Sequence, residues 1–199
     1  MLRPSLAGSF SMTPTTATPT HTPVTHTPTI RVLAEATLPY ALIIAAGLLV
    51  YGNSLFFDYT YFDDQELIFN NQYFFGDLSN VGALFMDDMW RFTEDTYYRP
   101  LYMLTYMLDF QFTGIDMFGY HLTSVVIHLV SACLLVVLFG AVGFSRRLSI
   151  WGALVFVVHP VHVQGVSWIP GRNDSFLGLS VILATLAWVR YWQAPSRGR

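Results

Sequence analysis

The feature that most constrains this chain is the length of its charge-free stretches. Residues 38 to 57 contain no Asp, Glu, Lys or Arg, and the same holds for residues 117 to 145 and 148 to 171. At 1.5 Å rise per residue, about twenty residues of helix cross a hydrocarbon core of about 30 Å. Within that core every backbone polar group needs an internal partner, which a helix supplies. Four spans are therefore expected, over about 38–57, 120–142, 148–168 and 175–192. The regular helix of the third is expected to end near His159-Pro160, because proline disfavours helical geometry in the residue before it. Arg190 lies near the end of the fourth, where its side chain can snorkel to the headgroups. With 53% hydrophobic and only 12% charged residues, the composition agrees. The fold class expected is all-α: a polytopic membrane helical bundle with a long helical extracytoplasmic first loop over 58–118.

The orientation follows from arginine placement, since the chain has no Lys and its ten basic residues are all Arg. A cytoplasmic N-terminus puts Arg3, Arg31, Arg146, Arg147, Arg190, Arg197 and Arg199 inside, leaving Arg91, Arg99 and Arg172 outside with twelve of the thirteen acids. The positive-inside rule favours this arrangement, with both termini cytoplasmic. Residues 1–35 form a separate region, a disordered cytoplasmic tail in which Thr13-Pro14, Thr18-Pro19, Thr22-Pro23 and Thr27-Pro28 block helix hydrogen bonding. Residues 36–199 are one membrane module. The segment 38–57 starts late and lacks a small-x-small exit, so it reads as an anchor rather than a cleaved leader. The single cysteine, Cys133, allows no internal disulfide, and segregated acidic and basic residues give no sign of a nucleic-acid surface.

Chemistry concentrates near the expected membrane boundaries. Asp63 and Asp64 follow the first span by a few residues, where a partly desolvated carboxylate can be raised toward a general base's working range. The competing reading is two solvated acids or an N-cap for Gln65 to Phe69. Leu78, Val81, Leu84 and Phe85 share one helical face ahead of Trp90, as in a helix lying flat on the bilayer, and Tyr102 to Phe112 reads as re-entrant or interfacial. Asp87, Asp88, Glu94 and Asp95 are expected to face water. Along span two, His121, Ser124, His128 and Ser131 fall at steps of three, four and three, placing one polar stripe toward the bundle interior. His121, the outermost, could face a substrate or simply bond another helix.

His159 and His162 could share a divalent ion with Asp63 or Asp64, but two histidines three apart beside a proline are a weak metal signal, and no cofactor is expected. Arg99 and Arg172 adjoin turn-forming residues at membrane boundaries, the depth of a lipid phosphate, and a guanidinium offers a bidentate fork to phosphate oxygens. The alternative for Arg172 is a salt bridge to Asp174 or another loop acid.

Phe62-Asp63-Asp64 with Ile68 and Asn70, Tyr98-Arg99-Pro100-Leu101, Gly119-Tyr120-His121 with His128, and His159-Pro160-Val161-His162 leading to Gly171-Arg172-Asn173-Asp174 occur in a recognisable order. Together they resemble the N-terminal part of GT-C membrane glycosyltransferases, specifically the transmembrane and tetratricopeptide-repeat O-mannosyltransferase-like group, over roughly residues 38 to 192. The resemblance implies transfer of a sugar from a polyprenyl- or dolichyl-phosphate donor to a hydroxyl on a protein or glycan acceptor, on the extracytoplasmic side. Asp63 or Asp64 would match the first-loop acid and act as base. Arg99 and Arg172, with His121, His159, His162 and Asp174, are the candidates for binding substrate and lipid phosphate. Such enzymes have many more spans and a repeat domain, so the chain is expected to be a partial module. The alternative reading is a non-catalytic membrane scaffold that docks partners through its acidic loop. A proton-relaying transporter built on His121 and His128 is disfavoured, because spans one and four have no ionisable group in their middles.

Overall fold

A computed structural model describes residues 37–61, 63–86 and 98–194. The expected N-terminal tail, Trp90, and the acids Asp87, Asp88, Glu94 and Asp95 lie outside the described residues. The architecture is an all-α membrane bundle. Helix α1 (Thr37–Tyr51) continues through a 3-10 stretch, Gly52–Phe56, and then extends into the loop. The loop folds through a π-helical turn, Gln65–Phe69, followed by α2 (Gln72–Phe75), a 3-10 turn Leu78–Asn80 and α3 (Val81–Leu84). Helix α4 (Pro100–Thr113) precedes α5 (Met117–Val142), α6 (Arg146–Val158), a 3-10 turn Pro160–His162, α7 (Val163–Ser167) and α8 (Arg172–Gln193).

Three segments, Thr37–Phe56, Met117–Val142 and Arg172–Gln193, are long and apolar enough to cross a membrane, and Arg146–Val158 with Pro160–Ser167 makes a fourth bent by 47°. The bend falls at His159-Pro160. Pro160 has no N–H to continue the ladder, and His159 Nδ1 instead accepts the Val161 N–H at 3.2 Å, capping the new turn. At the other end of α6, Ser145 accepts the Leu148 N–H, and Gly143 closes α5 in the left-handed conformation at φ 102°, where a side chain would be strained.

Helix α5 is the central post, packed against α1, α4, α6, α7 and α8. Its polar stripe turns inward: His121, Ser124, His128 and Ser131 are all buried. Ser124 and Ser131 donate to the carbonyls of Tyr120 and Ile127, and His128 Nε2 lies 3.1 Å from the Val157 carbonyl. Around the stripe, Ile43, Ala132, Val136, Ala153 and Val157 form the seam between α1, α5 and α6. The opposite faces, with Leu49, Trp151, Val181 and Trp188, remain exposed, as befits surfaces turned to lipid.

The loop is a folded cap with its own core. Leu67, Ile68, Phe75 and Leu84 pack onto Tyr102, Met103, Tyr106 and Met107 of α4, with Tyr120 and Ile169 completing the cluster. Helix α4 thus has its apolar aromatic face against the cap and the top of α5. Where Leu78–Asn80 and α3 are described, Leu84 is buried in this cluster while Leu78 and Phe85 remain exposed.

Candidate functional site

Two polar centres form where the cap meets the bundle. The first is built on Arg172, the first residue of α8, whose side chain is fully buried. Its Nη1 pairs with Asp109 Oδ2 at 2.6 Å and donates to Thr105 Oγ1 at 2.9 Å. Nε donates to Ser124 Oγ at 3.1 Å and Nη2 to the Tyr120 carbonyl at 2.6 Å. The guanidinium also lies 4.6 Å from the Tyr106 ring centre, within cation–π range. Asp109 Oδ1 accepts from Thr123 at 2.6 Å, so both carboxylate oxygens are engaged. Burial pushes the Asp109 carboxyl up from its ordinary range, and Arg172 and Thr123 pull it back. Next to this pair, the Tyr102 and Tyr106 hydroxyls abut each other and reach the carbonyls of Pro170 and Ile169 at 2.8 and 3.0 Å. Burial is the main cause holding Tyr102 up to about 12, so these hydroxyls stay protonated donors at neutral pH. The network ties α4, α5 and the turn before α8 into one unit.

The second centre is a cavity of about 190 Å³ bounded by Phe57, Asp58, Thr60, Asp64, His121, Val163, Gln164, Ser167, Trp168 and Ile169. Asp64 precedes the π-helical turn but does not cap it. Its Oδ2 instead reaches back to Thr60, accepting from the backbone N–H at 2.7 Å and from Oγ1 at 3.0 Å. Trp168 Nε1 in turn donates to Thr60 Oγ1 at 3.3 Å, linking the bundle wall to the carboxylate. Asp64 is 1% exposed, and its Oδ1 has no hydrogen-bond partner. Burial raises its carboxyl above the ordinary value; the Thr60 bonds oppose this and the neighbouring Asp63 charge adds to it. His121 enters from α5, 2% exposed, its ring edge-on to Phe57.

The wall carrying Gln164 and Trp168 is held by a close approach at Gly171. A Cβ there would collide with the Gln164 carbonyl, so only glycine lets α7 return this tightly onto the start of α8. Ser175 Oγ adds a bond to the Gly165 carbonyl at 2.8 Å.

The site residues expected from sequence therefore divide. Asp64 and His121 share the cavity, while Asp63 is half-buried beside Asp64 and outside the cavity lining. Arg172 is committed to Asp109 rather than to Asp174, and its donors point into protein. Arg99 stands half-buried immediately ahead of α4, its carbonyl accepting the Met103 N–H. His159, His162 and Asp174 line a different space, a groove of about 810 Å³ walled by Leu135, Phe139, Phe156, Leu177 and Val181. Pro160–Ser167 is the partition, with His162 lining the groove and Val163 and Gln164 the cavity. No group of three or more His, Cys, Asp or Glu among the described residues is arranged to hold a metal ion. Sequence reasoning missed Asp109, Thr60 and Trp168. Only the spacing of Thr60 four residues before Asp64 offered a local signal.

The chain is 35% identical over 156 residues to mouse protein O-mannosyl-transferase TMTC1, covering 75% of this chain and 16% of that protein. It is 33% identical over 152 residues to protein O-mannosyl-transferase tmtc2 of Xenopus laevis, covering 74% and 18%. To human protein O-mannosyl-transferase TMTC4 it is 31% identical over 155 residues, covering 68% and 21%. The chain thus spans about a fifth or less of the length of these relatives. No protein-family profile matches it, and no solved structure matches it.

Proposed function

We propose that this chain, a sequence relative of the protein O-mannosyl-transferases, is part of a membrane glycosyltransferase that moves a sugar from a polyprenyl- or dolichyl-phosphate donor to a hydroxyl acceptor at the extracytoplasmic face. The observation that carries the reading is the buried Asp64 carboxylate, fixed through one oxygen by Thr60 and bare at the other, facing a cavity. A group so held suits general-base work: its position is set by the fold, and its burial raises its proton affinity.

In the reaction, the acceptor hydroxyl gives its proton to Asp64 while its oxygen bonds to the anomeric carbon. The bond from that carbon to the lipid-phosphate oxygen breaks, and the phosphate leaves with the electron pair, inverting the carbon. Asp64 rather than Asp63 is the base, because Asp63 does not line the cavity. Arg172 acts as a positioning residue, since its guanidinium is buried and already paired. Arg99, at the start of α4, is the candidate for meeting the donor phosphate, and the groove lined by His159 and His162 has apolar walls that suit a polyprenyl chain. Asp174, also on that groove, limits the negative charge it accepts.

The test is sugar transfer from dolichyl-phosphate mannose to a hydroxyl acceptor by membranes containing the protein. Asp64→Asn should lower the rate at least about a hundredfold at unchanged expression, the usual weight of a general base. Asp63→Asn should lower it far less. Undiminished transfer by the Asp64 variant would remove this carboxylate from the mechanism.

A further inference from the structure

We infer that a second cavity, between the end of α1 and the start of α5, binds the quaternary ammonium headgroup of a choline phospholipid from the surrounding bilayer. At about 540 Å³ it falls within the roughly 300–1,000 Å³ of small-molecule sites. Phe57 and Asp58 are the wall it shares with the smaller Asp64 cavity. Its depth in the membrane follows from the charge-free stretches. Asp58 is the first charged residue after the stretch 38–57, and Asp116 is the last before the stretch 117–145. Both carboxylates line the cavity, and both residues are exposed. They mark the level where hydrocarbon gives way to headgroups, at the same end of two spans that pack together.

The rest of the lining is largely aromatic. The Phe56 and Phe118 rings, one from each span, lie 6.0 Å apart, and Phe57 and Phe69 extend the ring surface. No Arg, Lys or His lines the space. Aromatic faces beside carboxylates attract a cation through both the ring quadrupole and full charge, and they repel a phosphate. The positive end of α5 does not reverse that sign, because Asp116 caps it, Oδ1 accepting the Phe118 N–H at 3.0 Å. Asp58 Oδ1 accepts the Tyr59 N–H at 2.8 Å, so each aspartate is tied through one oxygen and keeps the other for a ligand. A lysine or ethanolamine ammonium needs hydrogen-bond acceptors around it, and most of this wall is carbon. A trimethylammonium group has no N–H and is satisfied by charge and ring faces. Phe56 and Phe118 are both exposed, which leaves the site open to a lipid arriving from the bilayer.

Native mass spectrometry of the purified full chain tests this, after equilibration in detergent with equal amounts of phosphatidylcholine, phosphatidylethanolamine and phosphatidylglycerol. Phosphatidylcholine should be retained at least about tenfold in preference to phosphatidylglycerol, equivalent to about 1.4 kcal/mol. Its preference over phosphatidylethanolamine should be at least about threefold, the share carried by the rings. The double variant Asp58→Asn with Asp116→Asn should lose the discrimination against phosphatidylglycerol. It should keep its fold, because asparagine preserves the Oδ1 acceptors used by Tyr59 and Phe118. Phe56→Leu, at an exposed position, removes a ring while keeping apolar surface and should lower the preference over phosphatidylethanolamine. Equal retention of the three lipids by wild type, or undiminished preferences in both variants, overturns the assignment. Displacement of phosphatidylcholine by a lysine-rich peptide but not by tetramethylammonium also overturns it, giving the cavity to a protein segment. Either result is independent of whether the chain transfers sugar.

Discussion

The Arg172 cluster and the Asp64 cavity draw on the same parts of the molecule: the cap, the first turns of α5, and the segment joining α7 to α8. Both bury ionisable groups to nearly the same extent, with Arg172 at 0% and Asp64 at 1% exposure. They differ in what those groups touch. Every polar arm of Arg172 has a protein partner, and its countercharge Asp109 is held by Thr123 as well. Asp64 is held through Oδ2 alone, its Oδ1 has no hydrogen-bond partner, and the residue lines a cavity. A buried charge paired with its countercharge builds architecture, whereas a buried carboxylate bonded through one oxygen in the wall of a cavity is suited to a site. Five substitutions test whether this division is real.

The largest effect belongs to the satisfied side. Arg172→Met leaves Asp109 charged and unpaired in the interior and should destabilise the protein by about 3–5 kcal/mol. Thermal unfolding of the purified protein in detergent reads the loss. The double variant Arg172→Met with Asp109→Leu should recover much of it, because the cost lies in the orphaned charge. If the single variant unfolds like wild type, the pair is ornamental and the comparison breaks.

Gly171→Ala comes next, at about 1–3 kcal/mol, because the added methyl collides with the Gln164 carbonyl and one of the two segments must move. This variant also sharpens the comparison. The displaced segment carries Gln164 and Trp168, so cavity function should fall beyond what the stability loss explains.

How far these centres can be read from sequence depends on the range of their contacts. The all-α membrane fold follows from charge-free lengths, a property of each segment alone, and the inward stripe of His121 to Ser131 follows from helical periodicity. The Asp109–Arg172 pair spans 63 positions. In sequence Asp109 is one more acid in an acidic loop, and Arg172 beside Gly171 and Asp174 looks like a surface group at a helix start. Their pairing depends on α4 packing against α5, which no local pattern encodes. Asp64 and Asp63 are likewise equivalent on paper. Thr60 and Trp168 distinguish them, and the Trp168 contact crosses 108 positions.

Trp168→Phe isolates that contact. It keeps the aromatic wall and removes the indole N–H donated to Thr60, a single neutral hydrogen bond worth about 0.5–1.5 kcal/mol. The expected result is a small fall in stability with a larger fall in sugar transfer, since Thr60 then holds the Asp64 carboxylate less firmly. A fall in stability alone would assign Trp168 to architecture.

The smallest effect has the opposite sign, and it separates the two regions most sharply. Burial raises the folded-state Asp64 carboxyl above its unfolded value of about 3.9, so the folded state holds a proton that the unfolded chain has released. As pH rises through that window, the group's contribution to stability falls, and above it the folded protein carries an incompletely bonded buried charge. Asp64→Asn removes the titration and keeps the side chain's shape. Unfolding midpoints measured from about pH 4 to about pH 8 should therefore decline less in the variant than in wild type. Near neutral pH the variant should match or slightly exceed wild type while sugar transfer is lost. A carboxylate retained for architecture would give the reverse, losing stability on substitution as Arg172 does, and that outcome would place Asp64 with the satisfied network.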